Sequence, residues 1–298
     1  NIEEIKRIKQ EEIYEGSILS KINRVLLPVR VRTDLTPESV KSIESNILEA
    51  IASKKDITVT LFTITSDKEK NNAQTFLDNI AKSFQKSEVN KKIVVSDNAL
   101  EKILEESKKD YDLLVIGATE KQKHAGMVFN DFIDNLIRFS PCPSLIFQGH
   151  AGFESHKNKK ILVPTDGSKA SKRAAEVAFA LTTKPTDEVH LLRVIEEKTT
   201  LDDFETKDHL IDRQFNYANE IVNSLKSIGE SLNVNTFTKV VLGVNPETVI
   251  IKVAKEENFN LVIIGSDVRP GSEKLYLGPR VEKILANCSC PVLVVNSF

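Results

Sequence analysis

Cysteine is scarce in this sequence: Cys142, Cys288 and Cys290 are the only three in 298 residues. Three thiols cannot build the disulfide framework that staples small secreted domains, and their number fits a reducing cytosol. No apolar run approaches the ~20 residues that a membrane-spanning helix needs. No basic-then-apolar secretion signal opens the chain. Excess charge of one sign is missing too, since 41 Lys and Arg stand against 43 Asp and Glu for a formal net charge of −2. Such a balance gives no reason to expect a general polyanion binder, and no basic, aromatic-interleaved strand points to nucleic acid. The five histidines, at 124, 150, 156, 190 and 209, form no spaced set with cysteine or carboxylates, so no metal site is expected. Neither Gly-x-x-x-x-Gly-Lys-Ser/Thr nor Ser-Gly-Gly-x-Asp-Ser occurs, which removes two common loops for phosphoryl and adenylyl transfer. Cys288 and Cys290 flank an apolar run and read as packing residues, with chelation or reactivity the minor alternative.

What the sequence does have is a repeat. Tyr111-Asp-Leu-Leu-Val-Ile-Gly117 is answered by Phe259-Asn-Leu-Val-Ile-Ile-Gly265, and each glycine is followed 25 residues later by a Cys-Pro step, Cys142-Pro143 and Cys290-Pro291. Upstream, Arg24-Val-Leu-Leu-Pro28 is answered by Lys160-Ile-Leu-Val-Pro164. The length gives a prior of about two domains of ~100–200 residues, and the repeat sets them at 21–149 and 158–298. The connector, Gly149 to Asn158, is short and mostly polar. Residues 1–20 carry Ile2, Ile5 and Ile8 among mixed charges and read as a linker or short helix. A start at Asn1 rather than Met fits a segment of a longer polypeptide.

Within each copy, short β-branched runs alternate with helix-period segments, as in a parallel sheet with helices on both faces. Strands are predicted near 24–30, 57–64, 91–96, 111–117 and 143–148, then near 159–165, 187–194, 236–242, 260–265 and 291–296. Asn260-Leu-Val-Ile-Ile-Gly265 hardly alternates, as expected of a strand buried on both faces. Ile211, Phe215, Ala218, Val222 and Leu225 recur at helical spacing. Ser168 is placed to cap a helix carrying Ala170, Ala174, Val177 and Leu181 on one face.

Ligands of open parallel sheets bind beyond the carboxyl ends of the strands, where strand order reverses. In the second copy the first strand runs out through Val163-Pro-Thr-Asp166-Gly-Ser168, which puts a carboxylate there. The fourth strand runs out through Gly265-Ser266 into a loop that returns at Gly278-Pro279-Arg280. Exposed N–H groups in such a strand-to-helix loop make a natural anion cradle.

These residues resemble the universal stress protein family, arranged in tandem over about residues 21–298. The family's fingerprint is a Pro-x-Asp end to the first strand and a loop written Gly-x2-Gly-x9-Gly-Ser/Thr. Gly243-Val-Asn-Pro246 also matches its Gly-x-x-Pro turn. The resemblance implies two Rossmann-like five-stranded α/β domains of the adenine nucleotide alpha hydrolase type. Members of the nucleotide-binding branch hold ATP or AMP, the Asp and a segment after the second strand holding adenosine and the loop holding phosphates. Carried onto this chain, that gives Thr165, Asp166, Val194, Gly243, Gly265, Ser266, Arg269, Gly278 and Arg280 as candidate nucleotide-binding residues. Two positions depart: Val268 stands for the second glycine and Pro279 for the Ser or Thr. Proline removes an N–H and a hydroxyl that would face phosphate. One lost charge-assisted hydrogen bond costs about 1.5–3 kcal/mol, which Arg269, Lys274 and Arg280 can offset by charge.

The first copy departs further. Arg30 replaces the Asp, and Glu120 and Asp131 stand where phosphate would be cradled, so no adenine nucleotide site of the family's kind is expected there. Arg30 and Arg32 either serve a different anion or pair with Asp34.

The resemblance also implies pairing of the last strands, here as an internal pseudo-dimer within one chain, with a homodimer beyond it. Tandem copies with a Leu-Pro-Val-Arg start look like cytosolic regions of bacterial cation/proton antiporters. The expected function is therefore a non-catalytic, cytoplasmic regulatory module, tethered through an upstream transmembrane transporter domain. Its ligand would be ATP, ADP, AMP or cyclic di-AMP, with Mg only as the partner of a triphosphate. The alternatives are a ligand-free scaffold or stress-response protein and, less favoured, a slow ATP hydrolase, for which no positioned base among Asp267, Glu273 and their neighbours is visible.

Overall fold

The computed structural model describes residues 4, 10–13, 15–31, 43–53, 55–118, 129, 131–149, 158–197, 204–267 and 277–296. Two compact units emerge, the first built on Ile18–Glu154 and the second on Ser155–Ser266 with Leu277–Val295.

The first unit contains strands β1 (Arg24–Pro28), β2 (Thr58–Thr65), β3 (Glu88–Val95), β4 (Leu113–Ala118) and β5 (Ser144–Gln148). Their spatial order is β3-β2-β1-β4-β5, with every pairing parallel. Helices α1 (Ile43–Ala52), α2 (Lys70–Ala81), α3 (Ala99–Ser107) and α4 (Asp131–Phe139) connect them. Parallel strands need crossovers, and helices supply them. Asn98 starts α3 by accepting a hydrogen bond from the Glu101 amide, 3.2 Å away. The strand starts are tied together by Asp112, whose Oδ2 accepts from the Asn23 and Arg24 amides at 2.8 and 2.9 Å.

The second unit repeats the plan. Strands β6 (Lys160–Pro164), β7 (Glu188–Glu196), β8 (Asn235–Gly243), β9 (Leu261–Ser266) and β10 (Val292–Asn296) lie in the order β8-β7-β6-β9-β10. The β6–β7, β6–β9 and β7–β8 pairings are parallel. Helices α5 (Lys169–Leu181), α6 (Phe204–Ser231), α7 (Pro246–Glu256) and α8 (Pro279–Asn287) complete it. Asn260 takes the role of Asp112, its Oδ1 accepting from the Lys160 amide at 2.9 Å. Leu261, Val262 and Ile263 are fully buried, as their lack of alternation requires. On α6, Ala218, Val222 and Leu225 form the buried stripe, while Ile211 and Phe215 are only half-buried.

All ten strands lie where the sequence places them, to within a few residues. The largest difference is β3, which begins at Glu88 rather than near 91. Glu88-Val89-Asn90 pairs with Thr58-Val59-Thr60 along the backbone and through a hydrogen bond from the Thr58 hydroxyl to the Glu88 carboxylate at 3.2 Å, so no apolar run marks its start.

In each unit the strand order reverses at one place, between β1 and β4 and between β6 and β9. The carboxyl ends of those two strand pairs are where a ligand is expected.

Candidate functional site

β6 ends at Pro164, and the next four residues turn the chain into α5. Gly167 makes the turn with φ +84°, a conformation that disfavours side chains. Ser168 caps the helix, its hydroxyl accepting from the Ser171 amide at 3.2 Å. The Thr165 and Ser171 hydroxyls lie 3.0 Å apart, and Ser171 donates to the Ser168 carbonyl at 3.0 Å.

Asp166 sits at the mouth of this turn, solvent-exposed. Its Oδ1 accepts from the Ser168 amide at 2.9 Å. Partial burial pushes the carboxyl pKa up, but hydrogen bonds from Ser168 and Ser171 outweigh that and hold it below the usual aspartate value. The group is therefore anionic at neutral pH.

Across the reversal point, β9 ends in Gly265 and Ser266. A Cβ on Gly265 would lie 2.1 Å from the Ala170 carbonyl oxygen and 2.7 Å from the Ser171 amide nitrogen. Gly265 is thus what allows the first turn of α5 to lie against β9. Ser266 is buried, and its hydroxyl donates to the Leu277 carbonyl at 2.9 Å, joining the two sides of the loop at its base. Gly278 enters α8 with φ +102° and open space around its α-carbon, and Pro279 takes the first helical position, where its missing N–H costs no helix bond.

A cavity of about 150 Å³ lies between these ends, lined among others by Thr165, Asp166, Val194, Gly265 and Arg280. Val194 forms part of its apolar wall. Gly243 stands behind that wall: a Cβ there would come within 2.5 Å of Val249. Thr165, Asp166, Val194, Gly265 and Arg280 thus converge on one hollow, with Ser266, Gly243 and Gly278 around it. Arg269 lies outside the described residues, as do Val268, Glu273 and Lys274.

Two groups that the sequence did not single out also line this hollow. Arg193 reaches toward the Thr165 carbonyl at 3.5 Å, and its Nε is buried with no protein hydrogen-bond partner. Glu196, at the end of β7, forms an ion pair with Arg280. An arginine inside the otherwise apolar run Leu191-Leu-Arg-Val-Ile195 was the signal available for the first.

The corresponding place in the first unit is built differently. A cavity of about 540 Å³ lies at the ends of β1 and β4, and Arg30 is the only charged group among its described lining residues. Arg32, Asp34, Glu120 and Asn130 lie outside the described residues, while Asp131 is exposed on the first turn of α4.

Of the histidines only His190 has a described side chain; His124, His150 and His156 lie outside the described residues. His190 stacks on Phe237 at 4.8 Å and hydrogen-bonds Glu188. Cys142 and Cys288 are buried, and burial pushes the Cys142 thiol pKa up. The Cys288 and Cys290 sulfurs lie 3.6 Å apart. No group of three or more His, Cys, Asp or Glu among the described residues is arranged to hold a metal ion. No described helix is long and apolar enough to cross a membrane.

Comparison with known proteins matches the universal stress protein family model twice, over residues 38–148 and 157–296. The universal stress protein MJ0531 of Methanocaldococcus jannaschii is 29% identical over 143 residues, covering 46% of this chain and 82% of that protein. The universal stress protein YxiE of Bacillus subtilis is 30% identical over 152 residues, covering 46% of this chain and 98% of its own. Among solved structures, a universal stress protein from Archaeoglobus fulgidus superposes with a TM-score of 0.58 at 21% identity, covering 92% of this chain and 98% of the other, a likeness of fold.

Proposed function

This chain belongs to the universal stress protein family in two tandem copies, and we propose that its second copy is a non-catalytic adenine-nucleotide-binding module with a regulatory role. The observation that carries this reading is Asp166, anionic and set at the rim of a hollow where β6 and β9 part. A cavity near 150 Å³ is large enough to take benzene, so this one admits a flat heterocyclic base and leaves ribose and phosphates at the mouth. Arg280 lines that mouth and stays half-exposed. A phosphate arriving there competes with Glu196 for the guanidinium. The family's loop supplies amide donors to the phosphates, and Mg accompanies a triphosphate.

The module is read as regulatory because hydrolysis needs a positioned base. Asp166 is held by the Ser168 amide and Glu196 by Arg280. Binding that favours one of two arrangements of a larger protein shifts its equilibrium by the difference in affinity. The larger protein fitting this chain best is a cation/proton antiporter whose cytosolic region it forms. A second reading, a ligand-free scaffold in stress response, is favoured by one feature: Ser266 and Arg280 already have partners within the chain.

Thermal-shift titration with ATP, ADP, AMP and cyclic di-AMP separates the two. A ligand at a hundred times its Kd adds about 2.7 kcal/mol to stability. A shift that disappears in Asp166→Ala supports the module; no shift from any of the four supports the scaffold.

A further inference from the structure

The two cavities occupy matching places, and comparing them position by position shows what the first has become. The offset relating Pro28 to Pro164 puts Val29 and Arg30 opposite Thr165 and Asp166. Strand register puts Phe62 opposite Leu192, since each pairs with the proline that ends its neighbouring strand. The offset relating Gly117 to Gly265 puts Phe132 opposite Arg280. Around the first cavity, then, a hydroxyl has become an isopropyl group, a carboxylate a guanidinium, and the arginine at the mouth a phenyl ring. All of these residues line their respective cavities.

The result is a hollow of about 540 Å³, within the range of small-molecule sites at roughly 300–1,000 Å³. Arg30 apart, its described lining side chains are apolar and aromatic, while polar atoms, Arg30 and backbone included, form about as much of its surface as apolar ones. Its one charge, Arg30, is exposed and has no ion pair with a described residue. No carboxylate stands among the described lining residues to satisfy that guanidinium from within. A nucleotide would find few side-chain partners there, because Arg30 is the only described lining side chain that can form a hydrogen bond.

We infer that the first domain binds a medium-chain fatty carboxylate, its tail in the cavity and its head on Arg30. Arginine matches a carboxylate with two parallel hydrogen bonds, and the apolar wall takes the methylenes. The site is independent of the nucleotide reading of the second domain, because it uses other residues and another ligand class.

The test is calorimetric titration of the whole chain with hexanoate, octanoate and decanoate, with decanol as the neutral control. Affinity is expected to rise about threefold to fourfold per methylene and to saturate at one ligand per chain. Decanol should bind at least about tenfold more weakly than decanoate. Arg30→Gln, at an exposed position, should reduce decanoate affinity by about ten- to a hundredfold, to near that of decanol. Ala99→Phe, which fills the cavity from α3, should abolish binding of both, and Asp166→Ala should change neither. Absence of saturable decanoate binding, or decanoate binding indifferent to both Arg30→Gln and Ala99→Phe, overturns the inference.

Discussion

Replacing Gly265 by alanine adds one methyl group where β9 and α5 meet backbone to backbone. Its new Cβ would lie 2.1 Å from the Ala170 oxygen and 2.2 Å from the Ala170 carbonyl carbon. Ordinary contact needs about 3.5 Å, so strand and helix must separate by more than an ångström. The contacts are with backbone, and the helix start cannot rotate aside. It is pinned by the Ser168 cap, the Thr165–Ser171 hydroxyl contact and the left-handed turn at Gly167. Overpacking of this kind costs about 1–3 kcal/mol and occasionally more, and a backbone clash belongs at the upper end. The expected loss is about 3 kcal/mol, or roughly a 10 °C fall in the Tm of a domain this size. Gly278→Ala is the control: its Cβ would meet nothing within 4 Å, so only its unusual backbone conformation costs, about 1–2 kcal/mol. Urea unfolding followed by circular dichroism measures both. A Gly265→Ala variant within about 0.5 kcal/mol of the parent would refute the packing argument.

Other expectations follow from single contacts. Ser168→Ala removes the cap on α5 and should cost about 1 kcal/mol in the same assay. Glu196→Gln frees Arg280; because both side chains are about half exposed, stability should barely change, while affinity for AMP or ATP should rise about twofold to fivefold by titration. In the first domain, burial pushes the Glu106 carboxyl pKa up, but hydrogen bonds from Lys92 at 2.6 Å, Lys109 at 2.9 Å and Tyr111 at 3.0 Å outweigh it and hold it below the usual glutamate value. A depressed carboxylate pKa contributes stability that is fully present above about pH 4.3, the ordinary glutamate value, and is lost as pH falls through the lower folded value. Acid unfolding of the parent should steepen below that pH, and Glu106→Gln should flatten the curve there.

The fold was readable because its signals are local. Asn260–Gly265 announces a buried strand by having no polar alternation, and β9 runs Leu261–Ser266. Ser168 announces a helix start by lying three residues ahead of the amide it binds. β3 begins ahead of its apolar run because Glu88-Val89-Asn90 is held by backbone pairing and a Thr58–Glu88 hydrogen bond, neither of which leaves an apolar pattern. The site was readable in part. Asp166 and Gly265 follow from where strands end, but the sequence cannot say why a glycine is there. A phosphate cradle and a helix pressed onto a strand both ask for no Cβ, and only the 2.1 Å approach to Ala170 identifies the second demand. Cavity size was not readable at all. Phe62, Phe129 and Phe132 look like core residues along the chain, and their convergence with Arg30 appears only once β1, β2 and α4 are assembled.

In the proposed reading the second domain binds an adenine nucleotide through Asp166. Isothermal titration of AMP and ATP into the parent chain and the Asp166→Ala variant tests it most directly. The prediction is one saturable site per chain that the variant loses. Binding of equal strength in both proteins, or heat of dilution alone in the parent, contradicts it.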